Sequence, residues 1–445
     1  MGRKRQSRQW TLVWTGAALA AVVAVALAGT GTALAARTKI VWQVHWTDFQ
    51  IDGIYQGDQL VARGLRQWVE EYERTHPDID IELQSIPMEE YLNRLIVAQA
   101  AGTGPDIISV LNTWGPQLVY DGVLEPVPAD LVADVRNQYI PVAVEGATVD
   151  GQIWGIPFEV GNYALVYNKK HLQEAGFSGP PRTWDELVQM GAKLTRRAAD
   201  GTVERYGFAF LAGWESAVVH PYLGLLWSLG GDFLAPDLSR ATFNGPEGLA
   251  ALEAELQLFR SGATDVSASV WEFPQGRVSM MIMASWYESS LKQAFGSEYE
   301  ATVGVAPIPA INGKSVNAAY SWWLGVNAQS RVKKEAWDFI RWFTAQTLPD
   351  GTTRMGTYQA ENIGSIPPRK GDLAGHPEQL DDLYTRVFVQ ELANAHHEPN
   401  VLQGAEIKTI LWHEIVEAWH GRKTPKQALD DAASKIDDIL REFYG

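Results

Sequence analysis

Residues 39–111 switch repeatedly between two hydrophobic periods, and that switching constrains the fold more than any other feature of the chain. The stretch 39–45, Lys-Ile-Val-Trp-Gln-Val-His, is rich in β-branched and aromatic residues and predicts a strand. From Leu60 to Thr75 the spacing becomes helical, with apolar residues at Leu65, Trp68, Val69 and Tyr72, until His76-Pro77 stops it. Residues 79–83 alternate as a second strand, Met88–Ala101 read as a second helix ended by Gly102, and Asp106–Leu111 as a buried strand. The order β-α-β-α-β predicts a mostly parallel sheet with helices on its faces, an α/β fold. In open sheets of this kind ligands bind at the carboxyl ends of the strands.

A second unit begins at Gly151. A short hairpin-like element is expected over 152–157, and strands over Ala164–Tyr167, Val278–Ala284 and Ser321–Val326. Thr183 and Glu186 have capping-box spacing at the start of a helix, with Trp184 packing its ring inward. Lys334–Phe343 and Lys426–Phe443 read as amphipathic helices. The 445 residues suit two lobes of roughly 150–200 residues each.

Charge and cysteine content remove several function classes. The net charge of −16 disfavours nucleic acid and anionic membranes, which want Lys and Arg patches. With no cysteine there is no disulfide framework, thiolate metal site or Cys nucleophile. The basic residues Arg3, Lys4, Arg5 and Arg8, an apolar run from Trp10 to Ala28, and Ala33-Leu34-Ala35 predict a secretory signal peptide over residues 1–35, cleaved after Ala35. An uncleaved membrane anchor is the alternative, since that run is long enough to span. Either arrangement puts the body outside the cytoplasmic membrane, in the periplasm or at the cell surface.

Two motif-like stretches have plainer structural readings. Residues 102–106, Gly-Thr-Gly-Pro-Asp, lack the Gly-Lys-Ser/Thr ending of a phosphate loop, and read as a helix stop leading into a strand. His413-Glu-Ile-Val-Glu-Ala-Trp-His420 is similar to a zincin helix, but Glu417 stands where the second histidine belongs. No metal or other cofactor is expected.

An ordered set of segments carries a resemblance: Ala100–Ile107, Gly155-Ile-Pro157, Val166-Tyr-Asn-Lys169, Ala175-Gly-Phe177, Pro180–Leu187, Gly230-Gly231, Gly276–Met280 and Glu335-Ala-Trp337. In this order they resemble the family 1 extracellular solute-binding proteins of ABC importers, the maltose-binding-protein-like receptors. The resemblance implies a two-lobed Venus flytrap fold, each lobe a mostly parallel sheet flanked by helices, with lobe one over 39–157 plus 326–366 and lobe two over 158–325 plus 367–445. It implies a monomeric, non-enzymatic receptor that closes on a small solute and presents it to permease subunits.

The ligand candidates follow strands at the cleft so implied: His45, Trp46 and Asp48; Asn112, Thr113 and Trp114; Glu159 and Asn162; Trp214 and Glu215; Trp286; Trp322 and Trp323; and Tyr358 with Asn362. In sugar-binding family members the positions matching Trp46, Thr113 and Trp286 line the cleft. An aspartate frequent after the third strand is replaced here by Thr113-Trp114. Indole faces suit the C–H faces of pyranose rings, and fixed polar groups suit their hydroxyls, so a mono- or oligosaccharide is the expected ligand. Alternatives are a polyamine, which Asp48, Glu159 and Glu215 would suit, a peptide or a glycerophosphodiester. A glycosidase using two of those carboxyls is the competing enzyme reading. Residues 50–57 look like an insertion beside the cleft.

Overall fold

The computed structural model describes residues 37–445. The expectations for the signal peptide or anchor lie outside the described residues. Among the described residues no helix is long and apolar enough to cross a membrane.

The predicted β-α-β-α-β run forms as β1 (Thr38–Val44), α1 (Leu65–Thr75), β2 (Ile79–Ser85), α2 (Met88–Ala100) and β3 (Ile107–Leu111). Strand β1 pairs in parallel with both β2 and β3, as the crossover helices require. The chain then enters β4 (Ile156–Gly161) and, after Asn162, β5 (Tyr163–Asn168). Helices α3 (Trp184–Leu194), α4 (Glu215–Ser228) and α5 (Pro246–Arg260) follow, and then β6 (Met280–Ala284), α6 (Glu288–Phe295) and β7 (Val303–Ala306). Strand β8 (Asn317–Val326), α7 (Lys333–Thr344), β9 (Ala395–His397), α8 (Gly404–Trp419) and α9 (Pro425–Tyr444) complete the main elements.

The first sheet has the order β2-β1-β3-β8, with β4 also pairing β8, and β9 extending it along the start of β8. Strand β8 is antiparallel to β3, so Trp322 lies opposite Leu111, at the carboxyl end of β3. It is also antiparallel to β4, which sets Glu159 opposite Trp322. The second sheet, β6-β5-β7, departs from the parallel expectation, because β5 is antiparallel to both neighbours. Parallel bridges Tyr206–Val278 and Ala209–Met281 widen it beyond β6. Tyr163 at the start of β5 pairs with Ala284 at the end of β6. The direct passage from β4 into β5 therefore brings the carboxyl ends of the first sheet beside the end of β6.

Several local expectations change. The helix expected from Leu60 starts at Leu65, because residues 54–56 and 59–62 form a small hairpin. That hairpin and the short helix Asp48–Asp52 are what residues 50–57 build. Gly102 ends α2 with φ +68°, and Asp106 accepts from Val41 N at 2.8 Å, which ties the turn to β1. Thr183 caps α3 by accepting from Glu186 N at 3.2 Å, but the Glu186 carboxylate reaches Arg182 N rather than Thr183 N. Trp184 is buried and donates to Ala254 O at 2.8 Å. Glu417 pairs with Arg422 at 2.6 Å.

Trp323 explains two glycines of the chain. Its ring lies against Gly155 so closely that a Cβ there would overlap it, and a Cβ at Gly115 would come within 2.8 Å. Gly155 in the segment Gly155-Ile-Pro157 is thus required by the packing of a core tryptophan.

Candidate functional site

The sheet register gathers most of the strand-end candidates. His45, just past β1, lies flat on Trp322 with ring centroids 4.0 Å apart. Trp114 meets Trp322 edge-on at 5.3 Å and stacks on Tyr91 at 5.6 Å. Asn112 and Thr113 are buried in a single 3₁₀ turn after β3. Asn112 accepts from Ser321 N at 3.1 Å, so the end of β3 is fixed to β8 by a side chain as well as by the ladder.

Glu159 is buried at the end of β4, accepting from Ser365 Oγ at 3.1 Å and Tyr320 OH at 3.4 Å. Burial raises its carboxyl to about 7, against the pull of these two hydroxyls. Burial likewise lowers the His45 imidazole to about 3, so the ring is neutral. Asn162, in the passage between the sheets, donates to Phe388 O at 3.1 Å. At the end of β6, Trp286 is half-buried, 6.3 Å from Trp271 and 5.8 Å from Tyr287 between ring centroids. Trp214 immediately precedes α4 and Glu215 begins it, both half-buried. Asp48 is exposed at the start of the short helix.

A polar signature accompanies this convergence. Buried polar atoms normally find partners. Here His45 Nδ1, Thr113 Oγ1, Asn162 Oδ1, Ser285 Oγ and Asn362 Oδ1 are buried with no partner among the described residues. All five belong to the ends of β1, β3, β4 and β6 or to the return segment near 362. Ser289 Oγ lies 2.7 Å from Asn362 O and 2.9 Å from Ile363 O, tying α6 to that segment.

Two candidates are corrected. Trp323 is fully buried on the far side of β8, pressed on glycines in the core, because adjacent strand residues face opposite ways. Tyr358 is also core: its hydroxyl donates to Gln50 O at 3.1 Å and its ring meets Trp46 edge-on at 5.1 Å. Trp46 itself is enclosed by Trp42, Phe158 and Tyr358.

Residues 398–408 and Trp271 also lie beside these strand ends, and no local sequence pattern marks them. Asn400 Oδ1 accepts from Asn112 at 3.2 Å, and the buried Glu398 and Lys408 lie on the same return of the chain. The His396-His397 pair of β9 directly precedes Glu398 in the sequence. An open groove of about 690 Å³, between α2 and the start of α8, shares only Trp114 with the strand-end residues. Its walls are the exposed side chain of Ile96 and half-buried amides such as Gln99 and Gln117, not convergent strand ends.

The family model described as bacterial extracellular solute-binding protein matches residues 58–347. The chain belongs to this family. It is 27% identical over 392 residues to a maltotriose-binding protein of Pyrococcus abyssi, covering 84% of this chain and 78% of that one. A galactooligosaccharide-binding protein of Bacillus subtilis is 23% identical over 387 residues, 84% of this chain and 86% of its own. Among solved structures, an ABC transporter solute-binding protein from Thermotoga lettingae bound with α-D-tagatose superposes with a TM-score of 0.75 at 22% identity, covering 90% of this chain and 99% of that one. The fold of this solute-binding protein is therefore the two-lobed α/β fold of its family.

Proposed function

We propose that this solute-binding protein is the extracytoplasmic receptor of an ABC importer, holding a sugar, most readily an oligosaccharide, where the ends of the two sheets meet. The observation that carries the reading is the convergence there of aromatic rings with buried polar atoms that have no partner among the described residues. Rings supply faces for pyranose C–H groups, and unpartnered donors and acceptors suit hydroxyls. The relatives named for maltotriose and galactooligosaccharide binding support the same ligand class.

On this reading the lobes are 39–157 plus 326–366 and 158–325 plus 367–445, hinged at β4 to β5 and at β8. The contact of Ser289 with residues 362 and 363 then joins the lobes and belongs to a closed state. The N-terminal segment delivers the body across the membrane, and the closed monomer is what the permease meets. The ligand contacts are His45, Asn112, Thr113, Glu159, Asn162 and Trp286, with Trp214 and Glu215 flanking them.

The test is a thermal-shift and calorimetric screen of the purified protein against maltotriose, galactobiose, mannobiose, tagatose, mannitol and spermidine. A ligand at a hundred times its Kd stabilises by about 2.7 kcal/mol. A shift with one or more saccharides, with the sugar recovered intact, supports the receptor. No saccharide response, or cleaved products, would sink it. Scattering with and without the responding sugar reads closure, and an unchanged radius of gyration at saturation counts against the hinge.

A further inference from the structure

A buried ionic chain joins β5, α4, the segment after β9 and α8. Glu398 follows β9 and is almost fully buried. Its Oε1 accepts from Lys408 Nζ of α8 at 2.8 Å and lies 2.9 Å from His220 Nε2 of α4. Lys408 Nζ also donates to Ser216 Oγ at 2.6 Å, and Tyr163 OH lies 3.0 Å from His220 Nδ1. The roles are determined: a carboxylate only accepts, so Nε2 of His220 carries the proton and Nδ1 accepts from Tyr163. Helices α4 and α8 thus meet on one carboxylate oxygen of the 398 segment, and β5 is joined to it through His220.

The other oxygen is different. Glu398 Oε2 is buried with no partner among the described residues, and so is Nδ1 of the neighbouring His397. Burial opposes ionisation of Glu398, but the charge of Lys408, with a hydrogen bond from His220, outweighs it and holds the carboxyl down at about 2. Leaving one oxygen of an ionised, buried carboxylate unmatched is costly, and natural interiors rarely do it.

The setting of this carboxylate is given by the residues around it. Ser216 is the residue after Glu215 at the start of α4, and Tyr163 opens β5 at the passage between the sheets. Two residues on, Asn400 bonds Asn112 at the end of β3, and His397 Nε2 lies 3.2 Å from Ser321 Oγ on β8. The carboxylate is thus carried on the same convergence of strand ends as the proposed sugar contacts.

We propose that Glu398 is a specificity-determining ligand residue, its Oε2 accepting a hydrogen bond from a sugar hydroxyl, with Lys408 and His220 as positioning residues. The proposal rests on the sugar-receptor reading and deepens it by naming the group the ligand must offer. Lys408 balances the charge of Glu398, and burial keeps His220 neutral despite the nearby carboxylate. The chain is therefore neutral overall. It favours an uncharged O–H donor over an ammonium, which would meet Lys408, and over an anion, which would meet Glu398.

The experiment compares wild type, Glu398→Gln and the double variant Glu398→Gln/Lys408→Gln by calorimetry. The probe is whichever saccharide of the screen binds wild type, and then its commercially available monodeoxy forms. The double variant removes both charges together, so it leaves no unpaired buried ion if the single one fails to fold. Circular dichroism and the melting curve of the sugar-free protein report folding. The expected result is a loss of affinity of roughly tenfold to a hundredfold, as for a hydrogen bond to a charged group. One monodeoxy sugar should bind wild type that much more weakly yet lose little further in the variant. A folded variant that binds the parent sugar as wild type does overturns the proposal and leaves the receptor reading standing. Wild type that binds spermidine and no saccharide overturns the receptor reading itself, and this inference with it.

Discussion

At the end of the first sheet, His45, Trp322, Trp114 and Tyr91 pack ring on ring, with centroids 4.0–5.6 Å apart, and Trp46 is closed in by Trp42, Phe158 and Tyr358. At the end of the second sheet, Trp286 and Trp271 stand 6.3 Å apart at 38°, the first half-buried and the second 45% exposed. Both groups are aromatic and both gather beside strand ends. In the first, each ring is largely satisfied by other rings, so its contribution goes into holding β1, β3 and β8 together. In the second, ring faces remain open to a partner. Aromatic content at a strand end therefore does not separate platform from scaffold; the number of ring faces already covered does.

The sharpest way to break this contrast is Trp323→Ala, since Trp323 is the extreme of the covered class. Removing a fully buried tryptophan costs about 3–5 kcal/mol of stability. The sugar affinity of the molecules that remain folded should be unchanged. Urea denaturation and calorimetry read the two effects, and lost affinity at unchanged stability would place this ring among ligand contacts.

The buried character of the first region also gives it a pH signature. Glu159 is raised from the ordinary carboxyl value to about 7 by burial, so the folded state holds its proton more tightly than the unfolded chain. Its stabilising contribution is complete below the unfolded value, near 4.5, and is lost as the pH rises through about 7. The loss is of order 3 kcal/mol at most, from the size of the shift. Glu255 and Glu288, both raised to about 8, slope in the same direction. The informative quantity is therefore the difference between wild type and Glu159→Gln. That difference should change between pH 5 and 8 in melting experiments without sugar, and a pH-independent difference would show a solvated carboxyl.

Trp286→Ala probes the open region. The sugar-free protein should melt nearly as wild type does, while affinity for the responding saccharide drops about tenfold, the equivalent of 1.4 kcal/mol. Lost stability with unchanged affinity would move Trp286 into the covered class and erase the distinction between the two regions.

Strand periodicity and the strand-end rule act over short stretches, so the strand ends of both regions were legible in the sequence. Val44 predicts His45 and Trp46, Leu111 predicts Asn112 and Thr113, and Ala284 predicts Trp286. The sequence could not tell Trp322 from Trp323, since alternation shows that neighbours face opposite ways but not which face is the core; that took the glycines at 115 and 155 from distant elements. Glu398 and Lys408 were hidden for a related reason. They lie on a return of the chain far from the strands they complete, and their meaning depends on His220 and Ser216, nearly 180 residues or more away. The second sheet's antiparallel ladders were likewise set by long-range pairing of 163–168 with 280–284 and 303–306 rather than by local pattern.

Trp271 offers the finest test of the comparison. It lies in a single 3₁₀ turn, Val270–Glu272, with no strand before it to mark it, and its ring meets Tyr287 edge-on at 5.4 Å. At 45% exposure it has little packing to lose, so Trp271→Ala should leave the stability of the sugar-free protein within about 0.5 kcal/mol. Two accounts of the ring then diverge. If it merely shields Trp286, binding is unaffected. If it extends the platform, a long saccharide should feel its absence and a monosaccharide should not, because one pyranose ring fills only the Trp286 face. The contribution expected of one aromatic contact, about 0.5–1 kcal/mol, corresponds to roughly a two- to fivefold weakening. Maltotriose and glucose titrated against wild type and Trp271→Ala measure that difference. Equal weakening of both sugars would point to a shift of Trp286 rather than a second contact, and no weakening of either would confine the open region to Trp286 alone.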